Sequence, residues 1–391
     1  MSHDQPPNLK PNSLLAVHNS QFTIVLVLLL TFFFRLAELP ALPPGLNFDE
    51  AGSGVAALEI LSGAPRIWWR LGGGQEPFWP YLTALSTAIF GQISLALRLP
   101  AAFVGVLTVA AAYPLLRTLF AEQNRSDRYL VALLTVLGLA VSDWHLHFSR
   151  LGFRAILLPL FSSLAFYFFW RSLRVSRQKS VVSNQTPKFS LNALERSLPW
   201  GRSPSYTLPT ASLTLSALFT ALAIYSYLAA RLLWLVPVLF LLVQWLITKI
   251  RLSSQSSERQ TYPATADIPV PFLLISYFLL LLFLFLSPLI VYFLFNPADF
   301  VARSTTVSIF NPQWNQGNFI GTAWRTFTLT LSTFLGSGGD TNPLVNLPGE
   351  PALSPILVPF FLIGLIVSFY RSIRLFFPAS PSLRLSTSPY L

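Results

Sequence analysis

The sequence predicts an all-α fold, a polytopic bundle of transmembrane helices. Three observations carry that prediction. The 391 residues are 53% hydrophobic and 14% aromatic, with 34 Phe. Only 10% are charged, where a soluble domain carries about a quarter. Apolar runs long enough to cross a hydrocarbon core near ~30 Å recur along the chain, and mean hydropathy is +0.57. The net charge of +11 does not point to nucleic acid. Lys and Arg gather in the short connections between apolar runs, as the positive-inside rule expects. With no cysteine in the chain, disulfides, thiolate metal sites and cysteine nucleophiles are excluded.

Eight spans are expected, at 20–37, 97–119, 129–147, 153–170, 209–228, 231–249, 270–294 and 355–376. Two further apolar stretches, 77–91 and 319–336, would raise the count to ten. Fifteen residues rise only about 22 Å as a helix, short of the hydrocarbon core. A full span at 77–91 would also carry the Arg117–Arg128 connection to the outer side, against the charge rule. Both stretches therefore read as juxtamembrane or re-entrant helices. The first run, Phe22 to Phe34, has a weakly positive flank and no small-x-small cleavage site, so it is expected to remain as an anchor.

The basic connections are Arg117–Arg128, Arg171–Arg202, Lys249–Arg259 and the tail from Arg371. Placing them in the cytoplasm puts both termini inside and turns loops 38–96, 143–154, 226–231 and 295–354 outward. The domain reading is a cytoplasmic tail at 1–19, one membrane module at 20–376 and a disordered cytoplasmic tail at 377–391. Polar segments at 171–207 and 251–268 read as flexible cytoplasmic linkers. No internal repeat is visible.

The outward loops hold the polar residues of interest. Asn47-Phe48-Asp49-Glu50 sits just past the first apolar run and opens a segment rich in Gly, Trp and Pro. Adjacent carboxylates are costly in lipid and easily placed in the water beside it. They suit activation of a hydroxyl or amine, but Asp and Glu also favour the first turn of any helix. The same loop carries Glu76, with Trp68, Trp69 and Trp79 reading either as interfacial belt residues or as platforms for sugar rings. The second loop holds His145, His147, Arg150 and Arg154, and the third holds Tyr227 and Arg231. The histidines read as polar interface residues or as metal ligands. The arginines suit a phosphate, which they grip bidentately, or they snorkel to headgroups. They do so on the side where Arg is normally scarce. Gly72-Gly73-Gly74 has no Lys-Ser/Thr after it and reads as a turn, not a phosphate loop.

The order of these motifs resembles a known family. Phe48-Asp49-Glu50-Ala51, then Gly74-Gln75-Glu76-Pro77, then Leu97-Arg98-Leu99-Pro100 is similar to the first third of polytopic GT-C glycosyltransferases. The nearest branch is the protein mannosyltransferase and aminoarabinose transferase group, glycosyltransferase family 39-like. His147-Phe148-Ser149-Arg150 with Phe153-Arg154, Tyr225 to Arg231, and Asn346-Leu347-Pro348-Gly349 extend the likeness to about residues 20–376.

The resemblance implies an inverting enzyme that moves a sugar from a polyprenyl-phosphate or polyprenyl-diphosphate carrier to a protein, lipid or glycan acceptor on the outer face of the cell membrane. It implies Asp49 as base, with Glu50 positioning the acceptor or holding a cation. Glu76 takes a supporting place near the donor, and Tyr227 is assigned to substrate binding. Arg150, Arg154 and Arg231 are the candidates for the lipid phosphate, whose developing charge needs stabilisation. Gln75 stands where some relatives carry His, so no metal ligand is assigned and a divalent cation stays open. Two other classes compete: a transporter or flippase for lipid-linked glycans, and a membrane subunit without chemistry. A transporter would line a path at mid-depth in paired halves, which the sequence does not display.

Overall fold

A computed structural model of the chain describes residues 11–71, 74–183, 210–255, 270–335 and 349–376. The expected tail at 377–391, most of the linkers at 171–207 and 251–268, Gly72-Gly73 and Asn346 to Pro348 lie outside the described residues. Among the described residues the structure is helical, with one isolated antiparallel bridge between Trp69 and Gln75. The helices are α1 (Pro11–Leu36), α2 (Phe48–Leu61), α3 (Phe78–Phe90), α4 (Ser94–Leu119), α5 (Arg125–Val141), α6 (Asp143–Arg150), α7 (Leu157–Ser183) and α8 (Thr210–Ile224). They continue as α9 (Leu235–Gln255), α10 (Val270–Phe295), α11 (Pro297–Val307), α12 (Pro312–Asn315), α13 (Phe319–Phe334) and α14 (Val358–Phe376).

The all-helical membrane reading holds, but the count of eight spans is not confirmed. Among the described residues, four segments are long and apolar enough to cross a bilayer: Ser94–Leu119, Arg154–Arg174, Leu228–Ile250 and Pro271–Phe295. A fifth arises only if α5 and α6 count as one span, and they are bent by 55° at their junction. The run expected at 129–147 crosses that bend. Ser142 adopts an extended conformation there, and its side chain accepts from the His145 amide to start α6 afresh. Three other expected spans fall on shorter apolar helices, Gln21–Leu36, Thr210–Ile224 and Val358–Tyr370. The stretch at 77–91 forms α3, whose 13 residues rise about 20 Å, less than the hydrocarbon core.

Helices also outrun several expected limits. α1 begins at Pro11 and α7 runs to Ser183, beyond the expected ends at 20 and 170. Residues 171–183 contain no Gly or Pro and several straight-chain Arg, Lys, Gln and Leu residues, so nothing local stops the helix.

The described residues fall into two compact units, one reaching Leu239 and resuming over 267–308, the other made of 240–266 and the residues from Ile309 onward. The first unit is built around α4, which packs against α1, α3, α5, α6 and α7, while α7 packs on α8 and α8 on α10. α4 can serve so many neighbours because half of its buried positions are Ala or Gly: Ala96, Ala101, Ala102, Gly105, Ala111 and Ala112. In lipid, where apolar burial gives no advantage between helices, small residues let backbones approach and dispersion and hydrogen bonds supply the attraction. At Gly105 an added Cβ would lie 2.9 Å from Arg35 Nε and closer still to Ser149. In the second unit, α13 packs with α12, and the Ala352 amide donates to the Thr333 carbonyl at 3.0 Å.

A buried polar knot ties α1, α5 and α6 together beside that glycine. Arg35 is fully buried and donates to the Thr31 and Ala140 carbonyls, each at 3.1 Å, and to the Ser149 hydroxyl at 3.2 Å. Its Nη2 lies 2.7 Å from His145 Nδ1. A buried guanidinium is tolerated only when its donors are taken up in this way. His145 is thereby committed to packing.

Candidate functional site

The site grows from the start of α2. Asn47 caps the helix, its side chain accepting from the Glu50 amide, while the Glu50 carboxylate accepts from the Asn47 amide, a reciprocal capping box. Glu50 does more than cap. It is buried, as is Arg98 of α4, and the Arg98 Nε donates to Glu50 Oε1 at 2.9 Å. Arg98 also donates to the carbonyls of Leu39, Pro43 and Gly45. The Gly152 amide donates to the same Glu50 oxygen at 2.9 Å. One ion pair thus fastens the chain after α1, the start of α2, the start of α4 and the turn after α6.

Consecutive helix residues differ by about 100° in direction. With Glu50 turned into this pair, Asp49 points elsewhere. It lines a cavity of about 300 Å³ together with Gly52, Ser53, Gln75, Arg154 and Tyr227. The cavity is open on one side, and Phe48, Phe153 and Leu228 supply apolar wall.

Gly152 is the tightest point behind that wall. A Cβ there would meet the Leu97 carbonyl oxygen at 2.8 Å and Glu50 Cγ at 3.2 Å. Backbone oxygen on a packed helix does not yield, so Gly152→Ala is expected to cost about 1–3 kcal/mol by overpacking. Thermal unfolding of the purified protein in detergent checks it; an unchanged midpoint would mean that the turn shifts freely.

The strand-like hairpin around the bridge carries Gln75 and Glu76. Trp69 and Gln75 exchange backbone hydrogen bonds at 2.8 and 3.2 Å. Gly74 closes the turn with φ +123°, and the Trp68 ring occupies the place where a side chain would stand. Glu76 is buried, with Oε2 3.9 Å from Arg154 Nε and Oε1 4.0 Å from Arg231 Nη2. Two guanidiniums around one carboxylate leave a net positive charge at this edge of the cavity. Arg154 further donates to the Gly74 carbonyl and lies over the Tyr227 ring. Arg231 donates to the Phe300 carbonyl at 2.8 Å and lies over the rings of Trp68, Phe293 and Phe300. On its other side Arg231 meets a second cavity, about 350 Å³ and almost wholly apolar, walled by Trp234, Leu282, Phe283, Leu286 and Phe293 among others.

The structure brings together five of the seven residues named from the sequence: Asp49, Glu76, Arg154, Tyr227 and Arg231. It separates Glu50, whose carboxylate belongs to the Arg98 pair. It also separates Arg150, which is not among the cavity lining. Arg150 donates to the carbonyls of Phe34, Ala37 and Leu42 and so closes the end of α1. The reason is a break in the helix: α6 ends at Arg150, and Leu151 and Phe153 are extended, so Arg154 swings away from it. The tryptophans are neither belt nor platform. Trp68, Trp69 and Trp79 are buried, and Trp69 Nε1 donates to Glu59. Sequence reading missed the roles of Arg98, Ser53 and Gln75. An arginine one turn inside an apolar helix was the available signal for Arg98.

Of the four loops expected on one face, residues of the first three and α11, from the fourth, meet in the first unit. Arg154 of the second loop touches the first loop, Arg231 of the third touches α11, and Arg70 of the first donates to Asp299 of α11 at 3.0 Å. Asp299 also accepts from Tyr292, and its carboxylate raises the pKa of Arg70. Among the described residues, no three His, Asp or Glu side chains converge on a possible metal position.

Apolar helices long enough to cross a bilayer, with charged side chains around a half-open cavity, define a class: a multi-pass helical membrane protein. Comparison with known families adds a likeness to membrane glycosyltransferases over part of the chain. Residues 75–183, about a quarter of the chain, match the family described as dolichyl-phosphate-mannose-protein mannosyltransferase. The matched segment contains Gln75, Glu76, Arg98, Arg150 and Arg154 but not Asp49, Tyr227 or Arg231. No curated protein and no solved structure matches the chain.

Proposed function

We propose that the protein transfers a sugar from a polyprenyl-phosphate carrier to an acceptor on the outer face of the cell membrane, with inversion, and with Asp49 as base. The observation that carries this reading is the placing of Asp49 and Arg154 in one cavity, with Arg231 standing between that region and an apolar cavity. The acceptor hydroxyl or amine gives its proton to the Asp49 carboxylate as its oxygen or nitrogen bonds to the sugar's anomeric carbon. The bond from that carbon to the carrier phosphate breaks, and the phosphate leaves with the electron pair. Attack from the side opposite the leaving phosphate inverts the centre. Arg154 and Arg231 offset the charge that develops on the phosphate, and the carrier's tail lies in the apolar cavity. Glu76 holds the two guanidiniums in place while cancelling only one of their charges. Glu50 and Arg150 position the first turn of α2 and the end of α1. Tyr227 walls the sugar position.

Sugar release from radiolabelled polyprenyl-phosphate sugars in proteoliposomes tests the reading. Turnover with at least one donor is expected; none with any donor, in folded protein, would favour the transporter or the subunit without chemistry. Arg231→Gln is expected to lower kcat/KM for the lipid donor about tenfold, the value of one lost charge-assisted contact, through both kcat and KM. A fall in kcat at constant KM would instead place Arg231 in transition-state stabilisation alone.

A further inference from the structure

A second polar cavity lies at the other end of α4. It measures about 260 Å³ and is lined by Tyr113, Pro114, Arg117 and Thr118 of α4, Arg128 of α5 and Tyr167 of α7. It contains two guanidiniums, two phenols and no carboxylate. Arg117 lies over the Tyr113 ring at 5.6 Å. Arg128 donates to the Ala121 carbonyl at 3.4 Å through Nη1, and its Nε is buried without a hydrogen-bond partner. Among the described residues neither arginine forms an ion pair. A buried guanidinium nitrogen without an acceptor is costly, and two uncompensated cations in one pocket repel each other. The pocket is therefore built for an anion.

Its depth in the membrane follows from helix geometry. Arg98, at the Asp49 end, and Arg117 are nineteen residues apart on α4, a rise of about 28 Å. That is close to the thickness of the hydrocarbon core, so the basic cavity sits at the opposite boundary. Along α5 below Arg128, the side chains of Leu130, Val131 and Leu134 are exposed, a rail for acyl chains running toward mid-membrane.

We propose that this cavity is a headgroup site for an anionic glycerophospholipid of the leaflet opposite the Asp49 cavity. Arg117 and Arg128 hold the phosphodiester, the Tyr113 and Tyr167 hydroxyls meet its remaining oxygens, and the acyl chains follow α5. Inorganic phosphate shares the headgroup chemistry but has no use for an apolar rail or for a position at the hydrocarbon edge. The site is independent of the transferase reading, because it is read out by lipid binding and not by turnover.

The test is native mass spectrometry of the full chain in detergent, titrated with phosphatidylglycerol or with phosphatidylcholine of the same acyl chains. Each arginine near an anionic headgroup is worth about fivefold in affinity, so the pair predicts about a twenty-five-fold preference for phosphatidylglycerol. Arg117→Gln with Arg128→Gln should remove most of that preference, and Arg66→Gln, exposed at the Asp49 end, should leave it intact. Equal binding of the two lipids, or a preference that survives the double substitution, would overturn the proposal. So would loss of the phosphatidylglycerol adduct to excess inorganic phosphate at matched ionic strength, which would mark a free-anion site. If the double variant does not purify as a single species, Arg117→Gln alone decides. Arg117 is exposed, and its replacement should cost about fivefold; no loss overturns the proposal.

Discussion

Asp49→Asn is expected to lower sugar transfer by at least about a hundredfold, the lower bound for removing a positioned general base. The substitution keeps the volume and the hydrogen-bonding reach of the side chain and removes its basicity. It leaves the fold intact, because the contacts that define the first turn of α2 belong to other groups. Asn47 and Glu50 make the capping box, and Ser53 bonds to the Asp49 backbone carbonyl, not to its carboxylate. Donor binding should persist, since Arg154 and Arg231 are untouched. Initial rates in proteoliposomes with saturating lipid donor, alongside a binding measurement, separate the two effects. Equal turnover in the variant and the parent would remove Asp49 from the chemistry and leave the cavity as a binding site only.

The second large effect is on stability. Arg98→Met is expected to destabilise the protein by about 3–5 kcal/mol, because it leaves the buried Glu50 carboxylate without its cation. Glu50 and Arg98 side chains are each only 1% exposed, so water does not replace the lost partner. Three carbonyls that Arg98 caps, at Leu39, Pro43 and Gly45, lose their donor as well. Combining Arg98→Met with Glu50→Gln should recover part of the loss, since the uncompensated charge is then gone. Unfolding midpoints of the two single variants and the double variant in detergent give the coupling. Additive losses would show that the pair acts as two separate hydrogen-bonding groups. Because this pair orients α2, both single variants should also lose activity.

How the polar residues divide their labour was only partly legible in the sequence. Asp49 and Glu50 are neighbours of the same chemical type, and either would serve as a base. Their fates diverge because one faces the cavity and the other meets Arg98, 48 residues further along. Arg150 and Arg154 look alike for the same reason; four residues apart, they would share one face of a continuous helix. The end of α6 at Arg150 sends one to the carbonyls of α1 and the other to Glu76. The paired histidines, open to a metal reading by their spacing, are divided by Arg35, which takes His145 into the interior. The bend at Ser142 was hidden because hydropathy continues smoothly through it, while its cause is a local cap.

By itself, the sequence determined that this is a helical membrane protein, where its apolar segments run, and which loops hold the chemically able side chains. Hydropathy is summed over neighbours in the chain, so those properties can be read from a window of residues. The tertiary structure decided which carboxylate faces the cavity, which arginines flank Glu76, and which of them are spent on closing helices. A charged group in a membrane must find an acceptor or an opposite charge. Its partner is set by packing between helices far apart in sequence, and no local pattern records that choice.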